Sequence, residues 1–156
     1  MITPEIVCNN ILRRGFNESV PITPMKLQKL LYLLSAYFYW RYNTLLFANR
    51  FETWDYGPVM PEVYHCFKKY RRRAIDAYYY IGNDLYTVSE SNPQFKHALD
   101  TVWSKYSEST ATELSDMTHE DGSAWVKAFG DRQRFLADED IKRDGERWFE
   151  KSSSPE

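Results

Sequence analysis

The stretch Thr23-Pro-Met-Lys-Leu-Gln-Lys-Leu-Leu-Tyr-Leu-Leu-Ser-Ala-Tyr-Phe-Tyr-Trp40 decides the fold class. Thr23 stands at an N-cap position and Pro24 at the first helical position, where its missing N–H is not needed. Leu27, Leu30, Leu31, Leu34 and Phe38 then recur at helical spacing and form an apolar stripe. Tyr37 and Trp40 widen that stripe, so the helix is expected at the centre of the molecule with neighbours on several sides. Gln28, Lys29, Ser35 and the aromatic polar tips make the run too polar and too short for a membrane span.

Working outward, Thr3-Pro4-Glu5 repeats the same helix start, and a first helix is expected from about Pro4 to Arg14, stopping at Gly15. After Asn43 the pattern favours a short strand near 47–55, carrying Phe47, Phe51, Thr53 and Trp54 and ended by Gly57-Pro58. Pro61 opens a third helix with Val63, Phe67, Tyr70 and Ala74 on one face. The segment 78–88 reads as a short hairpin turning near Gly82-Asn83. Further helices open at Asn92-Pro93, at Thr110 with Glu113 completing a capping box, near Ala124, and from about Asp138 to Glu150. The expected architecture is a mostly α-helical single domain over residues 1–150 with a minor β element, followed by a disordered tail over 151–156.

Composition narrows the function classes. The 156 residues suffice for one domain with a real core. A net charge of −2 argues against a nucleic-acid partner by bulk electrostatics. Cys8 and Cys66 have no CxxC pairing and read as reduced thiols. No signal segment is visible, and a cytoplasmic location is expected. No glycine-rich phosphate cradle is present. His65 and Cys66 diverge by about 100 degrees on a helix and do not share a metal, while His97 stands alone. No metal, no cofactor and no catalytic constellation are expected.

Aromatic residues make up 17% of the chain, which suits partly wet cores and interfaces alike. Trp54, Tyr56, Gly57 and Pro58 form a corner. Trp54 is expected to fill the core against Leu27 and Leu31, with Tyr56 at the rim as an aromatic anchor for a partner. Lys26, Gln28 and Lys29 lie off the apolar stripe. Lys26 sits in a first turn where the dipole disfavours a cation, so a carboxylate such as Glu62 or Asp116 is expected beside it. The run Lys68-Lys69-Tyr70-Arg71-Arg72-Arg73 is expected along the end of the third helix. It reads either as a solvated face or as a patch for an acidic partner surface or for phosphates, partly neutralised by Glu120-Asp121 and Asp138–Asp140. His119, after Thr118 near a helix end, reads as a cap of carbonyls.

In order, Lys26-Leu-Gln-Lys-Leu-Leu-Tyr-Leu33, Phe51-Glu-Thr-Trp-Asp-Tyr-Gly-Pro-Val59 with Tyr64, Leu114-Ser-Asp-Met-Thr-His119 and Ala124-Trp125 resemble the Panacea domain family. That family includes phage-associated GepA-like proteins and SocA-like antitoxins, and the resemblance runs from about Thr3 to Phe149. It implies a non-enzymatic antitoxin that binds and neutralises a co-encoded protein toxin. It also implies, as for SocA-like members, delivery of the toxin to a cytosolic protease. Many members append a helix-turn-helix, and none is seen here. The alternatives are a phage or mobile-element protein that binds nucleic acid or a host regulator through residues 68–73, and a hydrolase using His119.

Overall fold

The computed structural model describes residues 2–150. The expected tail, 151–156, lies outside them. Among the described residues there are seven α-helices: α1 (Pro4–Glu18), α2 (Pro24–Tyr42), α3 (Pro61–Phe67), α4 (Pro93–Tyr106), α5 (Ala111–Thr118), α6 (Ala124–Gly130) and α7 (Asp138–Phe149). Two small antiparallel hairpins complete the fold, β1 (Glu52–Trp54) with β2 (Gly57–Val59) and β3 (Tyr80–Ile81) with β4 (Asp84–Leu85).

α2 is the hub. Every residue from Lys26 to Phe38 is buried, and the helix packs against α1, α3, α4, α5, α7 and β2. Its N-terminus is capped as expected, with Thr23 Oγ1 accepting from the Lys26 N–H at 3.2 Å. Asn43 ends it in the left-handed conformation, φ 53°. The closest approach is to α7, where a Cβ on Gly145 would collide with the Ala36 carbonyl and stand 2.7 Å from Trp40 Cβ. Two buried polar groups tie this layer together: the Tyr32 hydroxyl donates to Asp144 Oδ2 at 2.6 Å, and Asp144 accepts the Ala124 N–H that opens α6.

Several boundaries differ from the sequence reading. α1 passes through Gly15 and ends at Ser19, φ 56°. Gly15 is needed for close approach instead, since a Cβ there would lie 2.7 Å from Ile22 Cδ1 and 2.9 Å from the Val20 carbonyl oxygen. Thr3 occupies the N-cap without a side-chain cap bond. The strand expected near 47–55 is confined to 52–54, because Phe47 and Phe51 are buried core side chains on irregular backbone. Gly57-Pro58 does not end that strand but begins its partner, with Trp54 paired to Gly57 and Thr53 to Pro58. The capping box at Thr110 and Glu113 forms in both directions.

The hairpin near 78–88 turns at Gly82-Asn83 as expected. What holds it in place is α1. Asn9 donates to the Tyr79 and Tyr86 carbonyls at 2.9 and 3.0 Å and accepts from the Tyr79 N–H at 2.9 Å. Asn10 makes the equivalent pair with Val88.

Candidate functional site

Side chains from three helices, one of them through its C-cap, converge on the β1–β2 hairpin and grip its backbone. Trp125 Nε1–H donates to the Trp54 carbonyl at 2.7 Å. The Ser115 hydroxyl donates to the Tyr56 carbonyl at 2.6 Å. His119 Nε2 lies 3.2 Å from the Asp55 carbonyl oxygen and Nδ1 lies 2.6 Å from that of Ser115, with the ring 3.9 Å from the Trp125 ring. Lys29 Nζ donates to the Pro58 carbonyl at 3.0 Å. Gln28 pairs with both backbone groups of Met60, at 2.9 and 3.0 Å, as a neighbouring strand would.

Gly57 allows this convergence. Its φ is +115°, and a Cβ would meet Thr118 Oγ1 at 2.6 Å and Lys29 Cε at 2.9 Å. Thr118 in turn donates to the Ser115 carbonyl at 2.7 Å. The frame holds a two-residue turn, Asp55-Tyr56, with Tyr56 69% exposed.

Beside the turn is a groove of about 360 Å³. Leu27, Trp54, Val59, Val63, Tyr64 and Phe67 give it apolar walls, Lys29 and Arg71 are its cations and Asp55 its one carboxylate. Trp54 is therefore not the core residue that the sequence led us to expect. It is half-buried, its ring 4.9 Å from that of Tyr64 and its Nε1–H donating to Glu52 at 2.9 Å. The short strand turns the indole sideways over the groove.

Lys26, Gln28 and Lys29 are all buried, although they lie off the apolar stripe that the sequence shows. Burial lowers the Lys29 ammonium from its ordinary 10.5 to about 7. Lys26 has no ion pair with Glu62 or Asp116; its Nζ donates to the Ser107 carbonyl at 2.6 Å. Burial lowers its pKa too, while Glu108 and Glu113 act in the opposite direction.

The basic run also departs from expectation. α3 stops at Phe67, residues 68–70 form a 3₁₀ turn, and the chain reverses at Arg71, so the cations splay around a corner. Tyr70 is buried and packs rather than presenting a contact surface. Lys68, Lys69, Arg71, Arg72 and Arg73 are exposed, and none makes an ion pair among the described residues. Glu120 and Asp140, expected to neutralise the run, instead bind Trp148, Lys127 and Arg143.

Among the described residues no group of three or more His, Cys, Asp or Glu side chains could hold a metal ion. No helix among them is long and apolar enough to cross a membrane. His119 directs both ring nitrogens at backbone carbonyls, so its place here is that of a strut.

The frame residues all lie within the stretch that a family comparison matches. The model of the Panacea domain of SocA-like antitoxins matches residues 27–126, from the second residue of the Lys26–Leu33 motif to just past Trp125. The chain belongs to the SocA-like Panacea antitoxin family. It is 28% identical over 124 residues to Antitoxin SocA of Caulobacter vibrioides (strain NA1000 / CB15N), covering 76% of this chain. The chain spans 66% of the length of that relative. No solved structure matches it significantly. The Panacea match contains the hairpin, its struts and most of the groove, and leaves out α7.

Sequence reasoning singled out Gln28, Lys29, Trp54, Gly57, Tyr64, Thr118, His119 and Trp125, and the structure brings them to one hairpin. It missed Ser115, whose hydroxyl reads in sequence like any helix-surface serine.

Proposed function

We propose that this protein neutralises a co-encoded protein toxin by direct, non-enzymatic contact in the cytoplasm. The observation that carries this reading is the β1–β2 turn: a rigidly braced loop holds Tyr56 out at 69% exposure beside an apolar groove. Pre-organisation of this kind lowers the ordering cost of association, and aromatic anchors dominate protein interfaces. The family and its SocA relative support the same reading.

A protease-adaptor role is a finer part of the proposal, in which the bound toxin is presented for degradation. A nucleic-acid partner is disfavoured, because the basic residues occupy one corner of a chain of net charge −2.

Co-expression of this protein with the product of the adjacent reading frame tests the proposal. Growth restored by this protein, together with co-elution of the two, is the expected result. A neighbour that is harmless alone, or one that remains toxic in the presence of this protein, defeats it. Toxin half-life in cells with and without the protein separates simple occlusion from delivery to a protease.

A further inference from the structure

Arg71 has a backbone conformation of φ 55°, ψ −109°. The Arg73 N–H donates to the Tyr70 carbonyl at 2.9 Å, so Tyr70 to Arg73 form a four-residue turn with Arg71 second. Those angles are those of the first central residue of a type II′ turn, a position glycine dominates because a side chain there is strained. The chain keeps an arginine at this position.

Its side chain does not explain that choice from within the fold. The guanidinium makes no ion pair with any described residue, yet Arg71 lines the apolar groove. Residues held in disfavoured backbone regions gather at binding sites, where the surroundings enforce them for function.

We propose that Arg71 is a partner-binding residue, and that the groove receives a segment of the toxin carrying a large apolar side chain next to a carboxylate. The inference rests on the antitoxin reading above and names where and how contact is made. The apolar side chain sits among Trp54, Tyr64 and Phe67. The adjacent Asp or Glu takes the Arg71 guanidinium in a two-pronged hydrogen-bonded pair, a geometry arginine is built for. Lys68, Lys69, Arg72 and Arg73 are exposed on the corner next to Arg71 and make no ion pair among the described residues, so positive charge near the groove draws an acidic segment and disfavours a basic one. The apolar walls select a peptide over a phosphate chain.

The test compares wild type, Arg71→Gly, Arg71→Glu and Tyr64→Ala, each as full chain, in melting and in binding to the purified co-encoded toxin. Arg71→Gly is expected to melt a few degrees higher and to bind about tenfold more weakly or worse. Arg71→Glu is expected to lose more affinity, and a toxin Asp→Arg or Glu→Arg change at the contact is expected to restore it. Tyr64→Ala is expected to weaken binding with helicity unchanged. If wild type neutralises the toxin while Arg71→Gly and Tyr64→Ala bind equally tightly, the groove proposal fails and the antitoxin reading stands. If wild type fails to neutralise, both fall together. A lower melting point for Arg71→Gly would overturn the strained-arginine premise. Displacement of the toxin by a single-stranded oligonucleotide would overturn the choice of a peptide occupant.

Discussion

Lys29 Nζ donates to the Pro58 carbonyl across 3.0 Å, and no acidic side chain among the described residues pairs with it. A buried ammonium with only a carbonyl partner is a cost that the fold carries to brace its hairpin. With a folded pKa of about 7 against an ordinary 10.5, the unfolded chain holds this proton more tightly. Stability therefore rises as pH climbs from about 7 toward 10, and the gain is lost as pH falls through 7, with a limiting slope of about 1.4 kcal/mol per pH unit. Urea midpoints of wild type and Lys29→Met between pH 6.5 and 9.5 check this. Parallel profiles would refute it.

Asp144 has the opposite sign. Burial lifts its carboxyl from 3.8 to about 6, although hydrogen bonds from Tyr32 and the Ala124 N–H pull it down. The folded state binds this proton more tightly, so the contribution is complete below about pH 4 and is lost as pH rises through 6. Asp144→Asn is expected to flatten the stability profile of wild type over that window, measured by denaturant titration. An unchanged slope would show that the carboxyl titrates normally.

Gly145 sets the distance between α7 and α2. An added methyl meets the Ala36 carbonyl, in the buried run of α2, and the Cβ of the partly buried Trp40. Gly145→Ala is expected to destabilise by about 1–3 kcal/mol, although alanine is the better helix former. Thermal or urea unfolding decides it, and a stabilised variant would show that the helices can separate freely.

Asn9 closes three hydrogen bonds onto the backbone of Tyr79 and Tyr86. Asn9→Ala leaves those groups without partners, at a cost of about 1–3 kcal/mol. Amide exchange at Tyr79 should accelerate more than exchange within α2. Uniform acceleration across the chain would mean that the β3–β4 hairpin is not a separately held unit.

Much of this architecture was legible where local chemistry acts alone. Thr23-Pro24, the Thr110/Glu113 box and Asn92-Pro93 start helices because caps and a pre-set φ need no distant partner. The burial of Lys29 was not legible, since its reason, the Pro58 carbonyl, lies 29 positions away. Gly15 misled for a related cause: its lack of a side chain serves the returning Ile22 rather than a helix end. The basic run looked helical by composition, and only the turn at Arg71 shows that it bends. The candidate site was thus visible as a set of residues, but its division into struts and an exposed tip depends on backbone contacts that sequence spacing does not encode.

Trp54 forms a wall of the groove and is partly exposed to water. Indole emission moves to shorter wavelength on dehydration, so occupation of the groove should register as a blue shift without any attached dye. The domain carries its own optical titration signal, and replacing the other four tryptophans with phenylalanine where the core tolerates it would isolate that signal.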